Sequence, residues 1–162
     1  MPAGVPARNV AAMNGYGFTD GLRHALARAR DEASDLDHES VGTEDILLAL
    51  LADVGGTAES VIRHLDADPD AIRTLVLQTA TRGKRPVAAG PDLPYTWRGK
   101  KVLELAMAEA RELHHPCVGT EHLLLGLLRE EKGIAAQALV RSGVTLERAR
   151  AATLRLLGDP RA

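Results

Sequence analysis

The stretch VGTEDILLALL occupies residues 41–51, and its near copy VGTEHLLLGLL occupies residues 118–128. The offset between them is 77 residues. When residues 18–77 are aligned with residues 95–154 without gaps, 19 of the 60 positions are identical. Self-similarity at a fixed offset is the signature of a repeated structural unit. The sequence therefore predicts two copies of one module.

Composition narrows the class of protein. Of the 162 residues, 45% are apolar but only 2% are aromatic, which predicts an aliphatic core. A formal charge of −2 disfavours a phosphate-backbone partner, so we expect no nucleic acid. No apolar run approaches the roughly 18 residues needed to span a membrane, and the first residues lack a signal-peptide pattern. With Cys117 as the single cysteine, a cytoplasmic protein is expected.

Apolar positions at intervals of three and four residues predict the helices of the first copy. The first begins after Thr19, its expected N-cap, and runs to about residue 36. The second begins at Thr43, whose hydroxyl we expect to accept from free amides at that helix start. A short helix follows over about 58–65. Asp68 and Pro69 then open a fourth, which ends near residue 81.

The second copy repeats this plan, with helices predicted over about 96–113, 120–130 and 133–142, and from the cap Thr145 to about 157. Residues 82–94 contain three prolines and two glycines and are expected to form a linker. Residues 1–16 are expected to be a mobile lead. The fold class predicted is all-α: two tandem four-helix units, 17–81 and 95–158, packed as a pseudo-two-fold pseudodimer of about eight helices.

The same features resemble a known family. In both copies an aromatic-Thr pair (18–19 and 95–96), an Ala-rich helix, a short loop (38–40 and 115–117) and Gly-Thr-Glu before a Leu-rich block follow in one order. This order is similar to that of the Clp repeat, the N-terminal domain of Clp ATPases. The second copy looks closest to the ClpC type, through GTEHLLLGL at 119–127, KGIAA at 132–136 and KKVLELA at 100–106. The resemblance covers about residues 16–158.

The resemblance implies a domain that sits above an ATPase ring and receives substrates or adaptors. No GxxxxGK[ST] phosphate loop occurs, and five residues follow Leu157, so we expect a stand-alone docking module that lacks the ATPase domains and needs no cofactor. No nucleophile elbow or evident acid pair occurs either. A non-catalytic binding protein is therefore expected.

In ClpC-type domains the Gly-Thr-Glu motifs are associated with proteins phosphorylated on arginine. The resemblance therefore implies ligand sites at Thr43 and Glu44, and at Thr120 and Glu121. A carboxylate can pair with a guanidinium, and a helix N-terminus favours a phosphate. The alternative is that Thr caps the helix and Glu merely favours its first turn.

The first copy departs from the family pattern beside its motif. Asp45 stands where the second copy has His122, and residues 53–55 (DVG) replace 130–132 (EEK). Extra acid would help an arginine but oppose its phosphate. We therefore expect phosphoarginine to prefer the Glu121 site.

Three aromatic residues are candidates for a partner surface. In the family, the region around the Phe18 or Tyr95 position lies near the surface bound by cyclic-peptide antibiotics directed at ClpC. Trp97 lies beside it and is either a contact anchor or a residue that packs on the linker. The basic residues Arg82, Lys84 and Arg85 are expected to be solvated.

A metal site is not expected. His114, His115, Cys117 and His122 are close in sequence, but their spacing matches no standard zinc pattern. The first copy carries Asp37, His38, Ser40 and Asp45 at the same positions, so the duplicated unit does not need a metal there.

The leading hypothesis is a Clp-protease accessory that binds tagged substrates, adaptors, a Clp ATPase or cyclic peptides, and either delivers or sequesters them. Two alternatives stay open. One is an enzyme that processes phosphoarginine, and the other is a purely structural or oligomerisation module.

Overall fold

The protein is described by a computed structural model that covers residues 17–83 and 93–158. The predicted lead at 1–16, most of the predicted linker and the last four residues lie outside this part of the chain. Eight helices occur within it, four in each repeat. They are α1 Asp20–Asp35, α2 Thr43–Ala52, α3 Thr57–His64, α4 Pro69–Thr79, α5 Trp97–Glu112, α6 Thr120–Glu130, α7 Ile134–Arg141 and α8 Leu146–Leu157.

Most of the expected helix starts are confirmed. The hydroxyls of Thr19, Thr96 and Thr145 each accept a hydrogen bond from the backbone amide three residues later, as an N-cap does. The Asp68 carboxylate accepts from the Asp70 amide at 2.9 Å, ahead of Pro69 in the first helical turn. Local sequence therefore fixes where these helices begin.

Two short strands were not predicted. β1 (Gly17–Phe18) pairs in parallel with β2 (Cys117–Val118), and an isolated bridge joins Val41 to Tyr95 in the same way. Two-residue strands carry no detectable alternation, which is why the sequence pattern misses them. The 77-residue offset pairs Phe18 with Tyr95 and Val41 with Val118. Each repeat therefore pairs its entry segment with the loop before the Gly-Thr-Glu motif of the other repeat.

The core is one continuous apolar cluster that both repeats share. Its centre is formed by the Leu-rich helices α2 and α6, which contact each other across the pseudo-two-fold axis. This confirms the predicted pseudodimer, because neither repeat buries its Leu-rich helix alone. No helix in the described ranges is long and apolar enough to cross a membrane.

Each repeat has a buried carboxylate, at equivalent positions, that links its helices. Glu109 on α5 accepts hydrogen bonds from Arg129 on α6 at 2.9 Å and from Arg150 on α8 at 2.6 Å. Burial raises the pKa of Glu109, but the two guanidinium groups outweigh it and keep that pKa below its ordinary value. In the first repeat, the ion pairs of Glu32 are weaker. They join it to Arg28 on its own helix at 2.9 Å and to Arg73 at 3.9 Å.

Candidate functional site

Each Gly-Thr-Glu motif lies against the other repeat, which corrects one prediction about Thr43 and Thr120. Neither hydroxyl caps its own helix, because both residues are the first helical residue and a glycine holds the cap position. The Thr43 hydroxyl instead accepts from the Ala135 amide at the start of α7, at 3.4 Å. The Thr120 hydroxyl accepts from the Ala58 amide at the start of α3, at 3.3 Å. The two loci are therefore composite, with residues from both repeats.

Glu44 lines an open cleft between the repeats. The cleft has a volume of about 390 Å³, and its walls are Gly42, Thr43, Glu44, Thr96, Trp97, Arg98, Lys132 and Ile134. Within residues 17–83 and 93–158, no hydrogen bond or ion pair engages the Glu44 carboxylate. An available carboxylate at a helix start therefore faces residues of the second repeat.

The Glu121 carboxylate, unlike that of Glu44, is hydrogen-bonded within the described residues of the protein. Its carboxylate accepts a hydrogen bond from the Thr57 hydroxyl at 2.9 Å, and its side chain is only 15% exposed. The same hydroxyl lies 2.6 Å from that of Thr120. The Glu121 carboxylate is thus engaged inside the protein, whereas the Glu44 carboxylate lines an open cleft and has no hydrogen bond in the described part of the chain.

The 77-residue offset shows how the surroundings of the two carboxylates differ. Trp97, Arg98, Lys132 and Ile134 beside Glu44 correspond to Asp20, Gly21, Gly55 and Thr57 on the Glu121 side. The Glu44 cleft therefore has two cationic residues, whereas the matched positions for Glu121 have none. Of those two, Arg98 is paired with Glu130 at 2.8 Å, and Lys132 has no ion pair in the described ranges.

Asp45, the residue that made the first site look unsuitable for a phosphate, does not face the cleft. Its side chain is fully buried and accepts from the Gly42 amide at 3.0 Å. It also contacts His38 Nδ1 at 2.9 Å, while His38 Nε2 donates to the Thr81 carbonyl at 2.6 Å. Burial raises the pKa of Asp45 to about 6. Burial lowers the pKa of His38, but the bonds to Asp45 and Thr81 outweigh it and raise that pKa overall.

The second repeat has two histidines where the first has His38 and Asp45. His122 Nδ1 accepts from the Gly119 amide at 2.9 Å, so the proton of its neutral ring is on Nε2. That nitrogen lies 2.7 Å from His115 Nδ1, which accepts. Burial lowers the pKa of His122, an effect larger than the attraction of Glu121. The uncharged form of His122 is therefore favoured, whereas the pKa of His38, in the first repeat, is raised.

We expect the His122 pair to make the fold sensitive to acid. A lowered pKa in the folded state means that the unfolded chain binds more protons below about pH 6.5, so the free energy of unfolding falls as pH falls. His122→Asp restores the His–Asp chemistry of the first repeat, whose raised pKa values give the opposite slope. Relative to this variant, wild type should lose about 2 kcal/mol between pH 7 and pH 5 in urea titrations. Parallel pH profiles would contradict this.

The predicted absence of a zinc site among His114, His115, Cys117 and His122 stays a prediction. Burial raises the pKa of the Cys117 thiol, which disfavours the thiolate that a metal needs. In the described part of the chain, one group brings three ligand-type atoms within 4.8 Å of each other, and it consists of His38, Glu44 and Asp45. Both ring nitrogens of His38 are already hydrogen-bonded, so a metal there would have to displace a proton.

The three aromatic candidates differ in exposure. Phe18 is 8% exposed and belongs to the core, so it offers little surface to a partner. Tyr95 is half-buried, with the Arg30 guanidinium carbon 5.2 Å from its ring centre. Trp97 is 72% exposed and borders the Glu44 cleft. The structure thus brings Trp97, but not Phe18, to the composite site.

Comparison with known proteins decides the family. The family described as Clp repeat (R) N-terminal domain matches residues 17–113 and 95–160. The chain belongs to this family. It is 40% identical over 143 residues to the ATP-dependent Clp protease ATP-binding subunit ClpC of Staphylococcus aureus, and 39% identical to that of Staphylococcus saprophyticus. Those matches cover 88% of this chain and 17% of each ClpC subunit, so the chain spans under a fifth of the relatives' length.

Solved structures support the same fold for this Clp repeat domain. The N-terminal domain of the chaperone ClpD from Arabidopsis thaliana is 27% identical, with a TM-score of 0.64, and the match covers 86% of this chain and 94% of that one. The N-terminal domain of the ClpV1 ATPase from E. coli is 21% identical, with a TM-score of 0.69, over 93% and 90% of the two chains. At that identity the second likeness concerns the fold alone.

Four residues of the two composite loci were not identified from the sequence. Arg98, Lys132 and Ile134 contribute walls to the Glu44 cleft, and Thr57 binds Glu121. The signal was present, because the offset pairs Lys132 with Gly55 and Ile134 with Thr57. A single sequence does not show, however, that residues 132 and 134 of one copy lie beside the Gly-Thr-Glu motif of the other.

Proposed function

We propose that this Clp repeat domain is a non-catalytic binding module, and that its Glu44 cleft receives protein segments carrying a phosphorylated arginine. The observation that carries the proposal is that Glu44 and Lys132 line one cleft, where neither side chain has an ion pair within the described residues. Phosphoarginine has a positive guanidinium group next to a negative phosphate. The cleft offers one charge of each sign to match it.

This proposal replaces the expectation that phosphoarginine prefers the Glu121 site. That expectation rested on two departures of the first copy from the family pattern: Asp45 as an added negative charge, and residues 53–55 in place of 130–132. Asp45 is buried and paired with His38, and Lys132 lines the Glu44 cleft. The first finding weakens the objection to the Glu44 site, and the second gives that site a cation.

The likeness to the N-domains of Clp ATPases supports a role with substrates and adaptors of that system. We propose a cytoplasmic accessory that either delivers tagged proteins to a Clp ATPase or sequesters them, or sequesters cyclic peptides directed at ClpC. Delivery requires contact with a Clp ATPase, and sequestration does not. The Thr43 and Thr96 hydroxyls of the cleft accept from backbone amides, and in the described residues neither is paired with a base, so the enzyme hypothesis is the weaker one.

A calorimetric titration tests the proposed ligand. We expect wild type to bind phosphoarginine, and Lys132→Gln to bind it about tenfold more weakly, because the phosphate loses its cation. Unmodified arginine has no phosphate, so its weaker binding should be insensitive to Lys132→Gln. Absence of phosphoarginine binding to wild type, or an equal effect of the substitution on both ligands, would refute the proposal. Release of free phosphate from phosphoarginine would favour the enzyme instead.

A further inference from the structure

Trp97 is an exposed aromatic residue, and the binding of an arginine by Glu44 and Lys132 gives it no role. It is the only tryptophan of the chain, the first residue of α5, and 72% exposed. A surface tryptophan bordering a cleft is the type of residue that concentrates binding energy at interfaces. The position that the offset pairs with it is Asp20, so the feature is confined to the Glu44 cleft.

Arg98 contacts the Trp97 ring and is itself held by Glu130. The Arg98 guanidinium carbon lies 5.8 Å from the Trp97 ring centre, and its Nη1 donates to Glu130 at 2.8 Å. Glu130 is almost fully buried, and its other oxygen accepts from the Gly133 amide at 2.7 Å. Arg98 is therefore held in position beside the ring, so its own ordering adds little to the entropy cost when a ligand packs there.

The Glu44 cleft continues into a second one. A cleft of about 550 Å³ lies on the other side of Glu44, with His38, Thr81 and Arg82 among its walls. The two clefts share Gly42, Glu44 and Thr96. The two clefts therefore adjoin at Glu44, and together they are called the groove here. A groove of this kind suits an extended polypeptide whose central residue meets Glu44.

We propose that Trp97 determines specificity: the polypeptide that places its modified arginine at Glu44 also packs a large apolar side chain, from a residue next to that arginine, on Trp97 and Ile134. The inference rests on the proposed function and names the class of segment bound there. The charges in the groove select the arginine, and the exposed ring together with Ile134 selects its neighbour.

The test uses short peptides with a central phosphoarginine. In the first pair of peptides, leucine or serine stands immediately before the phosphoarginine. In the second pair, leucine or serine stands immediately after it, so that both directions of the chain in the groove are tested. We expect the leucine peptide of one pair to bind about tenfold more tightly than its serine partner. We also expect it to shift the emission of Trp97, the single tryptophan, toward the blue. Trp97→Ala should remove the preference for leucine and leave the serine peptides unchanged.

Val54→Ala is the matched control, because Val54 is an apolar residue that is 79% exposed in the loop before α3. It should leave all four affinities unchanged. Equal binding of leucine and serine peptides in both pairs would overturn the role of Trp97, as would equal weakening of all four by Trp97→Ala. In either case, binding of free phosphoarginine would leave the proposed function intact. No binding of free phosphoarginine would overturn both.

Discussion

Replacing Glu44 by alanine should lower the affinity for phosphoarginine by about 100-fold, which corresponds to about 2.7 kcal/mol. The guanidinium would lose the Glu44 carboxylate, and its positive charge would be left without that partner in a partly desolvated site. Calorimetric titration of wild type and Glu44→Ala measures this directly.

Glu121→Ala is the matched control, because it removes the same side chain at the equivalent position of the other repeat. Its carboxylate is bonded to the Thr57 hydroxyl, so we expect less than a threefold change in phosphoarginine affinity. The reverse result, with Glu121→Ala abolishing binding and Glu44→Ala neutral, would return the site to the second motif. Thermal unfolding of both variants checks that each remains folded.

The largest effect on stability is expected at Glu109. Glu109→Ala should lower the free energy of unfolding by about 3 kcal/mol at pH 7, because Arg129 and Arg150 would lose a shared, buried carboxylate. Its lowered pKa gives the sign of the pH dependence: the stabilisation is present above the unfolded pKa and is lost as pH falls through the folded one. Urea titration at pH 7 and at pH 3 measures both quantities.

The first repeat offers a control for this variant too. Glu32→Ala removes the equivalent carboxylate, whose partners are one arginine on its own helix and one at 3.9 Å. It should cost about 1 kcal/mol, since the Arg28 side chain is 54% exposed and Arg73 is distant, so each pair contributes little. Equal losses for Glu32→Ala and Glu109→Ala would show that the link between three helices in the second repeat adds nothing.

The eight helices were predictable because their signals are local. Thr19, Thr96 and Thr145 cap helices by bonding amides three residues away, and Asp68 with Pro69 starts α4, so a short window of sequence contains the cause. The Gly-Thr-Glu motifs were also found, since a duplicated motif is visible without any structure. What surrounds each motif was not predictable in this way.

The sequence by itself determined that this protein is a duplicated, all-helical Clp repeat domain, through its helical periodicity and the 77-residue offset. Only the tertiary structure decided which residues share a site. Each Leu-rich helix must bury its surface against the other copy. The entry segment of one repeat therefore pairs with a loop of the other, and the motif threonine of one repeat accepts a hydrogen bond from a helix start of the other. As a result, Lys132 of the second repeat lies beside Glu44 of the first, and Thr57 of the first binds Glu121 of the second. Contacts between residues more than 60 positions apart leave no local pattern in a single sequence.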